Sequence, residues 1–265
     1  MTRIAWLTDI HLDFVSAAGT EALFHRAFAE RPDGVVVTGD ISESRVLFHH
    51  LRLLAAAATC PVYFVLGNHD FYASSIAAVR RQTIALCPQL PPLTYLTAAE
   101  VVELSPTLGL VGHDGWSDAR LGDYDNSEVM LNDFFLIAEL AHLEKMERRR
   151  RLEALGDESA AHVRRWLPVA AARYPQVLVA THVPPFRESC WYEGRPSDDH
   201  WLPHFSCRAM GDALLEAAAA APNTQITVLC GHTHGGGECR PLANLRVLTG
   251  EAIYRRPRVQ QMLEW

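Results

Sequence analysis

Residues 62–70 read VYFVLGNHD: five apolar residues, Val62 to Leu66, and then Gly67, Asn68, His69 and Asp70. The first half has the β-branched and aromatic composition of a strand buried on both faces. The second half is made of poor strand formers, three of which can coordinate a metal, hydrogen-bond or move a proton. Gly-Asn is also ordinary turn chemistry. The stretch therefore decides nothing until the ends of the other strands are set beside it.

The same ending recurs. The apolar run at 4–8 leads into Asp9-Ile10-His11, and the run at 35–38 into Gly39-Asp40. The run at 177–180 is followed by Thr181-His182, and the run at 226–230 by Gly231-His232-Thr233-His234. Each run delivers Asp, Asn or His at its carboxyl end, the edge at which an α/β sheet binds its ligands. Helical spacings at 21–31, 45–58 and 74–86 separate the first strands, and further strand patterns fall at 101–104, 108–111, 245–249 and 259–263. Strands alternating with helices predict an α/β fold. A lone Asp-x-His is more often chance than a ligand pair, but two histidines in one tight turn rarely have a packing reason. The five clusters together point to a metal site. Its donors are carboxylates, imidazoles and one carboxamide without a thiolate, a set suited to Mn, Fe or Zn. Seven such groups exceed the needs of one tetrahedral ion and suit two adjacent ones.

The series Asp-x-His, Gly-Asp, Gly-Asn-His-Asp, Thr-His and Gly-His-Thr-His resembles the calcineurin-like metallophosphoesterase superfamily, in the family order from Asp9 to His234. The resemblance implies two stacked mixed β-sheets flanked by helices, a four-layer α/β/β/α sandwich, in a single domain over 1–265. It implies two divalent ions, Mn before Fe or Zn. Asp9, His11 and His234 would hold the first, Asn68, His182 and His232 the second, and Asp40 would bridge them. A hydroxide between the ions would attack phosphorus in line, with His69 as general acid and Asp70 orienting His69.

Among the branches, the chain is most similar to bacterial cyclic-nucleotide and general phosphodiesterases. Protein Ser/Thr phosphatases carry phosphate-clamping arginines where this chain has Ser44 and Leu66. The lipid A precursor hydrolases usually have Arg in place of His69. The expected activity is hydrolysis of a small phosphodiester, a cyclic nucleotide for example. The alternatives are a nuclease acting on DNA or RNA, a phosphomonoesterase, or a non-catalytic scaffold, which would typically have lost ligands that are all present here.

Beyond the motifs, the segment at about 113–174 reads as a helical insertion or cap, helical from about 129 with a break at Gly156-Asp157. The run EKMERRRR within it reads as a solvated face. Trp116, Asp118, Arg120, Tyr124 and Asn126 either roof the site or fold their own loop. The same two readings apply to Trp191, Tyr192, Arg195, Asp198, His200 and His204 in the long loop at 184–206. With 265 residues, 49% of them hydrophobic, the chain is long enough for one large domain. A net charge of −7 disfavours nonspecific binding to nucleic acid. Six cysteines without a Cys-x-x-Cys pair read as reduced thiols of a cytoplasmic protein. Asp9 and His11 interrupt the first apolar run too early for a signal peptide, and no apolar stretch has the roughly 20 residues of a membrane span.

Overall fold

The VYFV run becomes a strand shared between two cores, and its neighbours follow the same rule. A computed structural model describes residues 1–265. The chain begins β1 (Arg3–Leu7), α1 (Ala17–Ala29), β2 (Gly34–Thr38), α2 (Ser44–Ala57), β3 (Val62–Val65), α3 (Ile76–Leu86), β4 (Leu93–Tyr95). It continues β5 (Val102–Ser105), β6 (Leu108–Gly112), α4 (Asp133–Leu136), α5 (Lys145–Arg173), β7 (Gln176–Ala180), then β8 (Trp191–Tyr192) and β9 (Arg195–Pro196). It ends α6 (Leu202–Phe205), α7 (Arg208–Ala220), β10 (Gln225–Cys230), β11 (Gly237–Leu242), β12 (Leu245–Thr249), β13 (Gln261–Glu264).

One sheet has five strands in the order β13-β1-β2-β3-β4, and the other six in the order β11-β12-β10-β7-β6-β5. Strands β1 to β4 are parallel, as are β6, β7, β10 and β12, while β13, β11 and β5 add antiparallel edges. Side chains alternate between the two faces of a strand. Val35 and Val37 of β2 face the core beneath α1 to α3, and Val36 faces the core between the sheets. In β7, Val177 and Val179 pack under α5 and α7, while Leu178 and Ala180 meet the opposite sheet. Both faces are therefore dry, and the strands read as continuous apolar runs. The result is the expected four-layer α/β/β/α sandwich. Ser16 and Ser75 accept hydrogen bonds from Gly19 N and Ala78 N and so start α1 and α3.

The segment 113–174 departs from the sequence reading. It is not a cap: α5 is the crossover between the parallel strands β6 and β7, and Val163, Leu167 and Ala170 cover the sheet they join. Nor does the helix break at Gly156-Asp157. It runs unbroken for 29 residues, and Gly156 is small because a Cβ there would lie 2.5 Å from the Asp118 Cβ. Arg148, read as solvated, is buried, with its guanidinium 4.1 Å from the Phe134 ring centre and Nε donating to the Tyr124 hydroxyl at 3.1 Å. No helix is long and apolar enough to cross a membrane.

Candidate metal centre

The loops that leave β1, β2, β3, β7 and β10 meet at one end of the two sheets. Their backbone is unusual. Asp9 (φ 48°), His11 (φ 39°), Asp40 (φ 51°), His232 (φ 71°) and His234 (φ 58°) all lie in the left-handed region. Non-glycine residues persist there only where the surroundings over-determine them, at about 1–3 kcal/mol each, and such strain gathers at functional sites. The surroundings here are hydrogen bonds between the loops. Asp9 N donates to Gly39 O (3.1 Å), His11 N to Asp40 O (3.0 Å) and Gly231 N to His182 O (2.9 Å). Gly67 and Gly231 allow the close approach, since a Cβ at Gly67 would strike the Asp40 carboxylate and one at Gly231 the Asp9 carboxylate.

Two groups of donors result. In the first, one donor atom each from Asp9, His11, Asp40 and His234 lie within 4.8 Å of one another. The Nε2 atoms of His11 and His234 approach to 3.0 Å. In the second, His182 Nε2 lies 3.1 Å from Asn68 Oδ1 and 3.4 Å from Asp40 Oδ1. The His182 and His232 rings stand 5.0 Å apart, centre to centre. Asp40 reaches both groups, with Oδ2 3.7 Å from His11 Nε2. All seven residues singled out as ligands in the sequence therefore converge.

The donors fit divalent ions. Histidine ligands usually commit their second nitrogen to a carbonyl or carboxylate. His182 Nδ1 donates to Thr38 O at 2.9 Å, which leaves Nε2 free, and His232 Nε2 donates to His204 O at 3.2 Å, which leaves Nδ1 free. Burial pushes the pKa of His11 down to about 2 and that of His232 to about 3, so both imidazoles are neutral. Burial raises Asp40 well above the usual carboxylate range, reinforced by the charges of Asp9 and Asp70. Burial would also raise Asp9, but the hydrogen bond from His234 and the nearby imidazoles outweigh it. The two buried carboxylates pair with no lysine or arginine. A cation is what this shell lacks.

Asp70 corrects the sequence reading. Its carboxylate does not touch His69. It accepts from the N–H groups of Ile41 (2.9 Å), Ser42 (2.8 Å) and Gly67 (2.7 Å), and so fixes the Asp40 loop against the Asn68 loop. Burial lifts its pKa to about 8, against those three donors. His69 keeps an unpartnered Nδ1, lies 4.0 Å from Asp40 through Nε2, and packs edge-to-face with His11 (4.6 Å between centres) and tilted against Tyr72 (4.3 Å). Burial lowers its pKa to about 3.

The sequence reading missed three supporting residues. Asp133 Oδ1 accepts from Asn68 Nδ2 (2.8 Å) and the Tyr72 hydroxyl (2.7 Å), which turns the Asn68 oxygen toward His182. Thr8 donates to Asp9 Oδ2 at 2.6 Å. Asp114, fully buried behind the site, accepts at Oδ1 from Leu66 N and Thr97 Oγ1, both at 2.8 Å. Its Oδ2 accepts from Arg80 Nε (2.8 Å) and the Tyr95 hydroxyl (2.6 Å), and its main-chain carbonyl from His182 N (2.9 Å). It thereby ties the Asn68 loop of one sheet to the His182 loop of the other.

A cavity of about 630 Å³ opens beside the ligands. Its wall includes His69, Tyr72, Asp133 and Tyr254, and from the long loop Tyr192, Arg195 and Asp198. The other proposed roof does not form. Trp116 packs on Phe71 in the core, Asp118 accepts from the N–H groups of Arg208 and Ala209, and Arg120 pairs with Asp118 and Asp157. Tyr124 and Asn126 bond within the same region, and His200 is exposed.

Comparison with known proteins adds the family. Residues 2–236 match the model of the calcineurin-like phosphoesterases. No curated protein sequence matches the chain. Among solved structures it is similar to the phosphopantetheinyl hydrolase of Mycobacterium tuberculosis, with a TM-score of 0.68 and 15% identity over 96% of this chain and 90% of that one. It is also similar to a dimetal phosphatase from Danio rerio, with a TM-score of 0.59 and 17% identity over 96% of this chain and 88% of the other. At these identities the likeness is one of fold.

Proposed function

The chain belongs to the calcineurin-like phosphoesterase family, and within that family of metal-dependent hydrolases we propose that it is a two-metal phosphodiesterase acting on a small diester. Asp9, His11 and His234 would hold one ion, Asn68, His182 and His232 the other, with Asp40 between them. When bound, Mn or a similar pair supplies a nucleophile at neutral pH by acidifying water and offsets the charge on the phosphoryl group.

The chain's own groups do the rest. Asp40 is held by the His69 N–H, which donates to Oδ1 at 2.9 Å, so the carboxylate and the general acid are placed by one backbone unit. An anionic ester arriving beside His69 favours its protonated form. His69 gives that proton to the departing oxygen as the bond from water to phosphorus forms and the bond to the leaving group breaks. The products are an alcohol and a phosphomonoester.

The observation that carries the diester reading is the cavity: it continues past the ligands, and Arg195 is the one cation on its wall. Ser44 donates to the Tyr72 carbonyl and Leu66 is fully buried, so neither position offers a guanidinium to the second charge of a monoester. A diester is a monoanion whose second arm the cavity accommodates. The net charge of −7 favours a small substrate over DNA or RNA. Six free cysteines accord with a reducing, cytoplasmic setting. With Mn supplied, kcat/KM is expected to be higher on bis(4-nitrophenyl) phosphate than on 4-nitrophenyl phosphate, and chelation should abolish both activities. A clear monoester preference would overturn the diester assignment.

A further inference from the structure

We propose that the cavity selects a diester whose organic arm carries a flat aromatic ring, stacked along Phe205 and Trp201, and a second anionic group held by Arg195; this rests on the phosphodiesterase reading above. Five aromatic side chains of the chain are exposed: Phe14, Phe135, Tyr192, Trp201 and Tyr254. Three of them, Tyr192, Trp201 and Tyr254, line this one cavity. Exposed rings gathered around one concavity mark a place for an apolar partner.

The rings are also ordered. Phe205 stands 4.7 Å from His232, centre to centre, and Trp201 a further 5.8 Å from Phe205. The row starts at a metal-ligand histidine and leads outward, so a ring on the arm of a bound phosphoester can follow it. Stacking of this kind tolerates any flat π-system. Asp198 fixes the outer end: its Oδ1 accepts from the N–H groups of His200 (3.0 Å) and Trp201 (3.2 Å), and its carbonyl from Leu202 N (3.0 Å). Asp198 keeps its charge, but neither it nor Glu193, the other acid beside Arg195 on the wall, forms an ion pair with the guanidinium.

Arg195 lies across from Tyr192 in the β8–β9 pair. The turn between them has Glu193 at φ 48° and Gly194 at φ 77°, the two positive values of a type I′ hairpin. Its root is anchored. Ser197 N donates to Cys190 O (2.7 Å), Thr249 Oγ1 donates to Ser189 O (2.6 Å), and the Trp191 ring lies so close to Gly237 that a Cβ there would strike it. A hairpin anchored at its root thus carries a guanidinium that makes no ion pair and no hydrogen bond within the chain. A free guanidinium on a binding wall suits a carboxylate or phosphate. The ions that the seven ligands would hold would take the scissile phosphate, so the anion for Arg195 is a second one.

The test is calorimetric titration of the Mn-loaded protein with three non-hydrolysable probes. They are methylphosphonate, the 5′-methylenephosphonate analogue of adenosine 5′-phosphate, and the same analogue bearing a second phosphonate at the 3′ position. The ring is expected to tighten binding about tenfold, as stacking does elsewhere. The second anion should tighten it about tenfold again, the scale of a charge-assisted contact. Trp201→Ala should remove the first increment and Arg195→Gln the second, each leaving the other in place. Equal affinity for all three probes, or increments that survive in both variants, would overturn the proposal. Hydrolysis of bis(4-nitrophenyl) phosphate, measured on the same preparation, reports separately on the phosphodiesterase reading. Turnover with flat affinities refutes the selective cavity alone, whereas no turnover refutes the reading beneath it.

Discussion

Replacing Asp114 by alanine should cost this protein about 3 kcal/mol, the lower end of what breaking a buried ion pair costs. The side chain is inaccessible to solvent, and Arg80, its cationic partner at 2.8 Å, keeps only 15% of its side-chain surface exposed. Alanine would leave the Leu66 N–H, the Thr97 and Tyr95 hydroxyls and the Arg80 guanidinium without this acceptor. Arg80 retains its second partner, the half-exposed Glu158, which is why the lower end applies. For a domain of this size each kcal/mol moves the melting midpoint by about 2–4 °C, so a fall of about 6–12 °C is expected. Thermal unfolding of the wild type, Asp114→Ala, Arg80→Met and the double variant measures it. In the Arg80→Met background there is no guanidinium left to strand, and the cost of Asp114→Ala should shrink by about 2 kcal/mol. A single-variant cost under about 1 kcal/mol, or costs that simply add in the double variant, would refute the account of Asp114 as a saturated tie between the two halves of the site.

Three more outcomes follow from the geometry. Asp133→Ala releases the Asn68 amide, and Mn affinity at the second site should fall about 10–100-fold in a calorimetric titration, the usual effect of losing an outer-shell partner; an unchanged titration would show that Asn68 is oriented by other means. His69→Ala should bind both ions normally and lose about 10²–10⁴-fold in kcat on alkyl or nucleoside esters, with a smaller loss for a nitrophenolate, which leaves with little protonation; an equal loss on both would remove it as general acid. Gly156→Ala should destabilise by about 1–3 kcal/mol through crowding against Asp118; stabilisation by about 1 kcal/mol, the ordinary gain of alanine over glycine in a helix, would show that the contact yields.

What was readable in the sequence, and what was not, divides along the kind of contact involved. The ligand positions were readable because a metal shell needs rigid placement, rigid placement comes from strand ends, and a strand buried on both faces announces itself as an unbroken apolar run. Val62 to Val65 followed by Gly67-Asn68 carries all of that within one local stretch. Asp70 departs from the role the resemblance implies because adjacency in sequence does not make two side chains neighbours in space. His69–Phe71 is a single 3-10 turn, and it sends the Asp70 carboxylate down to the backbone of Ile41 and Ser42 while the His69 ring turns up to Tyr72. Asp114 and Asp133 have no local pattern at all. Asp114 follows β6 and Asp133 opens the four-residue α4, and each is defined by partners 17 to 65 residues away. Gly156 illustrates the converse. A glycine in a helical pattern has two physical meanings, a weak point in the helix or a place where another chain segment must come close, and composition does not separate them. Here the segment that comes close is Asp118, whose carboxylate in turn accepts the first N–H groups of α7. The residue that looked like a break is therefore one of the places where α5, which reaches across both outer cores, closes against the rest of the fold.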